Sequence, residues 1–380
     1  PNVQLEIEGH TPVAMMPDGD GFVATTTPGG VGTRYAFRLP DGPAMPDPAS
    51  RRQADDANGP SEIIDPLAYA WRHGDWRGRP WHEAVILEVH VGLCGGFVGV
   101  MDRLQGWRDL GITAIELMPI ADFPGARNWG YDGVLPFAPD AAYGTPDALK
   151  ELVDTAHGLG LMVLLDVVYN HFGPDGNYLH TYAGRFFRDD IQTPWGAAID
   201  FRRQGVREFF IQNALMWIEE YRFDGLRFDA VHQISEPDFL DDMARTIRAA
   251  VGPSRHVHLV LENERNGARH LARGLFDAQW ADDFHHCLHV LLTDEREGYY
   301  EDFADGARLL ARCLSEGFAY QGEVSPHYGK KRGEPSAHLP TTAFIICLQN
   351  HDQIGNRAFG DRLTTLAEPA ALDAARALLL

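Results

Sequence analysis

The chain has 380 residues, 44% of them hydrophobic and 23% charged, ordinary values for a soluble globular protein. That length accommodates one barrel of about 250 residues and a smaller domain. A formal net charge of −21 argues against binding to a phosphate backbone or an anionic membrane, which needs a basic face, and leaves a neutral ligand as the easier partner.

Residues 1–60 contain short β-like pieces, Val3–Glu8, Gly21–Thr26 and Arg34–Leu39, broken by glycine and proline. They predict part of a small β-sandwich domain, with Pro40–Pro60 as an irregular connection. Residues 61–80 form an aromatic-rich linker carrying Trp71 and Trp76. From residue 81 to 380 strand and helix periods alternate. Strands are expected at Ala84–Val91, Thr113–Ile120, Leu161–Tyr169, from Gly225, and at His258–Glu262, Phe276–Phe284 and Thr342–Leu348. Helices are expected near Val100–Leu110, Pro146–Leu159, Arg207–Tyr221, Glu236–Val251 and Ala370–Leu380. Leu161–Tyr169 is nearly all apolar, as a strand covered on both faces should be. Seven barrel strands are counted in this way, so the last strand and helix, and any C-terminal domain, are expected outside this sequence.

Cys94, Cys287, Cys313 and Cys347 lie far apart without a C-x-x-C pair and read as buried free thiols. No apolar run approaches about 18 residues, and no N-terminal signal pattern or N-x-S/T sequon occurs. A cytoplasmic protein with no membrane partner fits. No clustered Asp and Asn on one loop compel a metal, and no cofactor is expected.

The informative stretch is Gly225-Leu226-Arg227-Phe228-Asp229-Ala230-Val231-His232. On a strand Arg227 and Asp229 share one face and Leu226 and Phe228 the other. An arginine there keeps the neighbouring carboxylate ionised and aims it. An isolated R-x-D is as readily a structural ion pair. Here, however, Leu161–His171, His258–Glu264 and Ala343–Asp352 are also apolar strands ending in acids, His or Asn. That is the pattern of a (β/α)8 TIM barrel, whose site lies at the C-terminal ends of its strands. Asp229 and Glu262, on successive strands, are the two carboxylates a retaining glycosidase needs. Asp352 could hold sugar hydroxyls and raise the pKa of Glu262 by like-charge repulsion.

Asp166-Val167-Val168-Tyr169-Asn170-His171, Gly225–Asp229, the strand ending in Glu262-Asn263, and Asn350-His351-Asp352 resemble, in order, the four signature regions of the α-amylase family of glycoside hydrolases. The resemblance runs from about Val85 to Arg357. It implies Asp229 as nucleophile, Glu262 as general acid/base and Asp352 as transition-state stabiliser. It further implies Arg227 as orienter of Asp229, Asp166 as buttress of the arginine, and His171 and His351 as contacts to the glucose in subsite −1. Tyr131, in Asn128-Trp129-Gly130-Tyr131-Asp132, matches the aromatic platform beneath that sugar. The chain departs from typical α-amylases in having His232 and Gln233 where they carry a Lys-His pair.

Asp282-Asp283-Phe284-His285-His286, Glu297-Gly298-Tyr299-Tyr300, Tyr320-Gln321-Gly322-Glu323, Thr193-Pro194-Trp195-Gly196 and Leu348–Arg357 are similar to stretches of the maltooligosyltrehalose trehalohydrolases. The implied substrate is maltooligosyltrehalose or a related α-glucan, with His232, Glu323 and Gln353 contacting it. Read as a strand, Asp282–His286 makes adjacent histidines diverge, which disfavours a metal and favours a hydrogen-bond network or the floor of the leaving-group side. Trp195 and Phe186-Phe187 read either as sugar-stacking or as core residues; Trp107, Trp217 and Trp280 read as core. The alternative activity is that of a 1,4-α-glucan branching enzyme, which passes the glycosyl group to a glucan hydroxyl instead of water. A carbohydrate-binding relative without catalysis would be expected to lack one of the three acids.

Overall fold

The computed structural model describes residues 3–18, 21–23, 29–40 and 42–380. The chain divides into two compact units, Pro1–Asp229 with Gln233–Val257, and Ala230–His232 with His258–Leu380.

In the first unit, Gln4–Ile7 pairs antiparallel with Val13–Ala14 on one side and Arg34–Arg38 on the other. Arg34–Arg38 also pairs with Ala44–Met45 and Ser61–Glu62. Alternation along Gln4–Ile7 buries Leu5 and Ile7, while Glu6 faces Arg38 as an ion pair. The expected strand at Gly21–Thr26 is seen as Gly21–Val23, antiparallel to Met16–Asp18; Ala24, Thr25 and Thr26 lie outside the described residues.

Four parallel strands follow: β1 (Ile86–Val89), β2 (Ala114–Leu117), β3 (Met162–Val167) and β4 (Gly225–Phe228), each paired with the next. Between them lie α1 (Gly96–Asp109), α2 (Pro146–Gly158) and α3 (Gln204–Leu215), with α4 (Asp238–Val251) after β4. Local chemistry accounts for α2. Thr145 caps it by accepting from the Ala148 N–H at 3.2 Å, Pro146 fits the first turn, and Asp147 faces the positive end of the dipole. Leu149, Leu152, Val153 and Ala156 then form its buried stripe. All six residues of β3 are buried, as the apolar run required. Asp224, buried just before β4, accepts from Trp76 Nε1 at 2.8 Å and Val163 N at 2.9 Å, and it faces His157 Nε2 at 2.9 Å. This acid ties the start of β4 to β3, α2 and the segment before β1.

The second unit carries parallel strands β5 (His258–Leu261), β6 (Ala278–Trp280) and β7 (Phe344–Ile345). Two expectations need correction. The sixth strand does not run to Phe284: the chain leaves it at Ala281 and enters α5 (Asp282–Thr293). Asp282 and Asp283 occupy the first turn of that helix, where carboxylates meet the unpaired N–H groups and the positive dipole end. His285 and His286 therefore diverge by a helix step of about 100°, and not across the faces of a strand. The seventh strand is also shorter than Thr342–Leu348, because Thr341–Ala343 forms a 3₁₀ turn before it. Phe284, Cys287 and Leu288 of α5 pack with Phe303, with Leu309 and Cys313 of α6 (Gly306–Glu316), and with Tyr320. Next come α7 (His351–Gly355) and α8 (Pro369–Leu379). None of the four cysteines forms a disulfide; Cys287 and Cys313 are buried, while Cys94 and Cys347, expected buried, are half-buried. Among the described residues no helix is long and apolar enough to cross a membrane.

Asp122 and Asp140 are two buried acids close to β2. Asp122 Oδ2 accepts from Ala141 N at 3.1 Å, and Asp140 accepts from Phe123 N at 3.1 Å and Ala142 N at 2.8 Å. Burial, and then the charge of Asp140, pushes Asp122 up to about 8; burial pushes Asp140 up to about 7. Both folded values lie above the unfolded ones, so their contribution to stability is complete below about pH 4 and is lost as pH rises through about 7 to 8. Asp122→Asn keeps an acceptor for Ala141 but cannot ionise. It should raise Tm relative to the parent at about pH 8.5, with a smaller advantage at about pH 6.5. An equal difference at both pH values in thermal melts would contradict the assignment.

Candidate active site

Arg227 on β4 has no exposed surface, and its Nη1 donates to Asp166 Oδ2 at 2.6 Å and Asp229 Oδ1 at 3.0 Å. Parallel register places Asp166 of β3 beside Arg227. Asp229 receives a second donor from the other side, since Asn170 Nδ2 lies 2.7 Å from its Oδ2 and 3.0 Å from its carbonyl oxygen. The carboxylate is thus oriented by a cation and an amide. The Tyr131 hydroxyl donates to Asp166 Oδ2 at 2.7 Å, and burial, with Asp166 next to it, keeps that phenol firmly protonated.

His171 lies with Nδ1 2.5 Å from Asn170 Oδ1 and Nε2 3.0 Å from the Tyr131 carbonyl oxygen. Both neighbours are acceptors, yet burial outweighs them and pushes the imidazole down to about 4. Trp195 stacks on His171, with ring centroids 4.3 Å apart and planes 11° from parallel, and is 46% exposed. It is therefore not a core residue. Phe186 and Phe187 do read as packing, in an aromatic group with Phe172, Phe209 and Phe210.

The loop that presents Tyr131 is shaped by Asn128, whose Oδ1 accepts from Gly130 N at 2.7 Å and whose Nδ2 donates to Asp132 Oδ2 at 2.8 Å. Gly130 has φ +101°, and a Cβ there would fall 1.9 Å from the Pro119 carbonyl oxygen. Only glycine fits that position.

In the second unit, Glu262 follows β5. Its Oε2 accepts from Ala230 N at 2.7 Å, and its carbonyl accepts from Val231 N at 3.0 Å. Ala230 has φ +41°, a left-handed conformation that costs an L-residue about 1–2 kcal/mol. This strained residue directly follows Asp229 in the chain, and strain of this kind persists where surrounding bonds enforce it. His232 Nδ1 accepts from Glu264 N at 3.4 Å, so its proton resides on Nε2, 3.4 Å from Glu264 Oε2. Burial pushes His232 down, opposed by the charges of Glu262 and Glu264.

Asp352 lies in the first turn of α7. Asn350 caps that turn by accepting from Asp352 N at 3.0 Å, and Gln353 Oε1 accepts from Asn350 N at 2.9 Å, completing a capping box. His351 Nε2 lies 3.7 Å from Asp352 Oδ1. Gln353 thus commits its amide oxygen to the turn. Glu323 is half-exposed, with one carboxylate oxygen 2.6 Å from Arg312 Nη1 and the other accepting from Gln321 N at 2.7 Å.

Within the first unit the structure therefore brings together Tyr131, His171, Arg227 and Asp229. Within the second, it gathers Glu262 with His232, and His351 with Asp352 and Gln353. Sequence reasoning assigned no role to Asn170, Asn128 or Glu264. Asn170 carried a signal, as a polar residue directly after an apolar strand, whereas Glu264 carried none beyond lying near Glu262.

Residues 51–190 match the family described as "Alpha amylase, catalytic domain". The chain is similar to a malto-oligosyltrehalose trehalohydrolase of Deinococcus radiodurans, at 43% identity over 91% of this chain and 58% of that protein. It is similar to one of Saccharolobus solfataricus at 39% identity over 100% of this chain and 69% of the relative. A crystal structure from Salmonella typhimurium carrying an alpha-amylase name superposes with a TM-score of 0.95 at 47% identity, covering 100% of this chain and 67% of that one. The fold is accordingly that of the (β/α)8 barrel. A 1,4-alpha-glucan branching enzyme of Streptomyces avermitilis is 38% identical over only 55% of this chain. The chain spans 58% to 69% of the length of the two trehalohydrolases.

The downward shift of His171 is directly measurable. Its folded value lies below the unfolded one, so on acidification the unfolded chain takes up a proton first, and stability falls below about pH 6.5. Titration of the His171 Cε1–H resonance should show a midpoint near 4. A midpoint above about 6 would mean that burial does not control the ring.

Proposed function

The chain belongs to the malto-oligosyltrehalose trehalohydrolases of the alpha-amylase family, and from that premise we propose that it is a retaining glycoside hydrolase. It cleaves the α-1,4-glucosidic bond next to the terminal trehalose of a maltooligosyltrehalose and releases trehalose and a maltooligosaccharide. The observation that carries this reading is the Asp229 carboxylate, held between the Arg227 guanidinium and the Asn170 amide. A carboxylate so held is ionised, aimed and unable to rotate, as a nucleophile must be.

In the first step an Asp229 oxygen attacks the anomeric carbon while Glu262 gives its proton to the departing trehalose oxygen. In the second, water loses a proton to Glu262 and displaces Asp229, so configuration is retained. This chemistry requires the two carboxyl groups to lie about 5–5.5 Å apart. Asp352 holds hydroxyls of the sugar as its ring flattens. The hydroxyl of Tyr131 is fixed by Asp166, which leaves its ring as the platform for that glucose, and His171 and His351 contact the same sugar. His232, Glu323 and Gln353 serve the leaving-group side. Gln353 does so through its amide nitrogen, since its oxygen holds the α7 cap.

Residues 1–60 belong in this reading to a small β-domain, 61–80 to a linker and 81–380 to the barrel, in a cytoplasmic enzyme. The branching-enzyme reading rests on a match to little more than half of the chain, and no contact in the site favours it.

Incubation with maltotriosyltrehalose should yield trehalose and maltotriose, whereas new α-1,6 branches on amylose without trehalose would give the chain to the branching enzymes. Asp229→Asn should abolish nearly all turnover with the fold retained. Asn170→Ala removes a hydrogen bond to a charged group, worth about 1.5–3 kcal/mol, and should lower kcat about 10- to 100-fold. Persisting activity in Asp229→Asn would refute the nucleophile.

A further inference from the structure

We propose that His285 is a positioning residue for Asp352, acting through a partly buried clamp that grips the Asp352 turn at both ends; this rests on the reading of Asp352 as the transition-state stabiliser. The Asp282–His286 and Glu297–Tyr300 stretches, which the reaction itself does not use, supply the clamp.

One jaw is at Leu348, two residues before the cap of the turn. His285 of α5 is fully buried, and its Nδ1 is hydrogen-bonded to the Leu348 carbonyl oxygen. A carbonyl only accepts, so Nδ1 carries the proton and Nε2 offers a lone pair to the Tyr300 hydroxyl, 3.3 Å away. Burial, which pushes this ring down to about 3, keeps it in the neutral form that this assignment needs.

The other jaw is at Arg357, just beyond α7. Tyr300 stacks on His289, one helical turn after His285, with centroids 4.3 Å apart and planes 13° from parallel. His289 Nε2 lies 2.8 Å from Glu295 Oε2. The Glu295 carboxylate receives Arg357 Nη1 at 2.8 Å and Nη2 at 3.0 Å. Hydrogen bonding to Arg357 holds Glu295 down at about 2, so this fork stays charged. An unbroken series of contacts thus runs from Leu348 through His285, Tyr300, His289 and Glu295 to Arg357. Between the two anchors lie the Asn350–Gln353 capping box and α7, which contains Asp352, with Gln349 accepting from Leu363 N at 2.8 Å. The box sets the shape of the turn; the clamp sets where α5 holds it.

Two substitutions separate this role from ordinary core packing. The amide of His285→Asn places a donor near the Nδ1 position, while that of His285→Gln extends toward the Nε2 position. His285→Gln should lower kcat on maltotriosyltrehalose about tenfold or more, with KM changed less than about threefold, and His285→Asn should recover most of the loss. Amide exchange by mass spectrometry should rise in the peptide spanning residues 348–357 for His285→Gln, with the rest of the second unit unchanged. Because the clamp acts as one unit, adding Glu295→Gln to His285→Gln should cost little beyond the worse single change. Equal losses in both His285 variants, a loss that tracks Tm, additive losses in the double variant, or unchanged exchange at 348–357 would each overturn the clamp. If the parent releases no trehalose while the exchange signature holds, the functional reading fails and the clamp stands.

Discussion

The first unit depends on one buried charge. A guanidinium with no exposed surface is costly unless carboxylates compensate it, and Arg227 has Asp166 and Asp229. Asp166 in turn fixes the Tyr131 hydroxyl, and Asp229 is closed from the other side by Asn170, whose amide oxygen meets His171. Removing any member leaves a buried polar group with less compensation, so the arrangement holds the carboxylate in one place. It achieves by charge pairing what a catalytic carboxylate needs, a fixed direction and a fixed protonation state.

The second unit holds its acids in another way. Glu262 is tied to backbone N–H donors through the left-handed turn at Ala230, and Asp352 is fixed by a helix cap. Behind α7 the buried His285 contacts the Leu348 carbonyl oxygen, and the charged Glu295–Arg357 fork lies just beyond the helix. His285 and His286 are both pushed down by burial, so they orient by hydrogen bonding and stacking without adding charge near the acids.

Much of this was legible in the sequence, because the strongest signals were periodic or spaced by the backbone. The two-residue step from Arg227 to Asp229 shows that they share a face, and the fully apolar Leu161–Tyr169 run contains a strand covered on both faces. Thr145-Pro146 marked the start of α2. What sequence could not show was partnership across the fold. The Asp282-Asp283 pair, read there as a strand end, in fact begins a helix, since the preference of acids for a first turn outweighed the apolar run before it. Asn170 and Glu264 take their meaning from contacts to residues 59 and 32 positions away, Asp229 and His232, which no local pattern encodes. Trp195 and Phe186 look alike in sequence but differ in burial, because one stacks on a single ring and the other is enclosed by several.

The central claim is that Asp229 attacks the sugar and becomes glycosylated. The direct measurement is to inactivate the protein with a slow-turnover 5-fluoro-α-glucosyl fluoride and map the labelled peptide by mass spectrometry. The account predicts one added glycosyl group, on Asp229, with Arg227 and Asn170 leaving no alternative carboxylate in position. A label on Glu262, or inactivation without any covalent adduct, would contradict it.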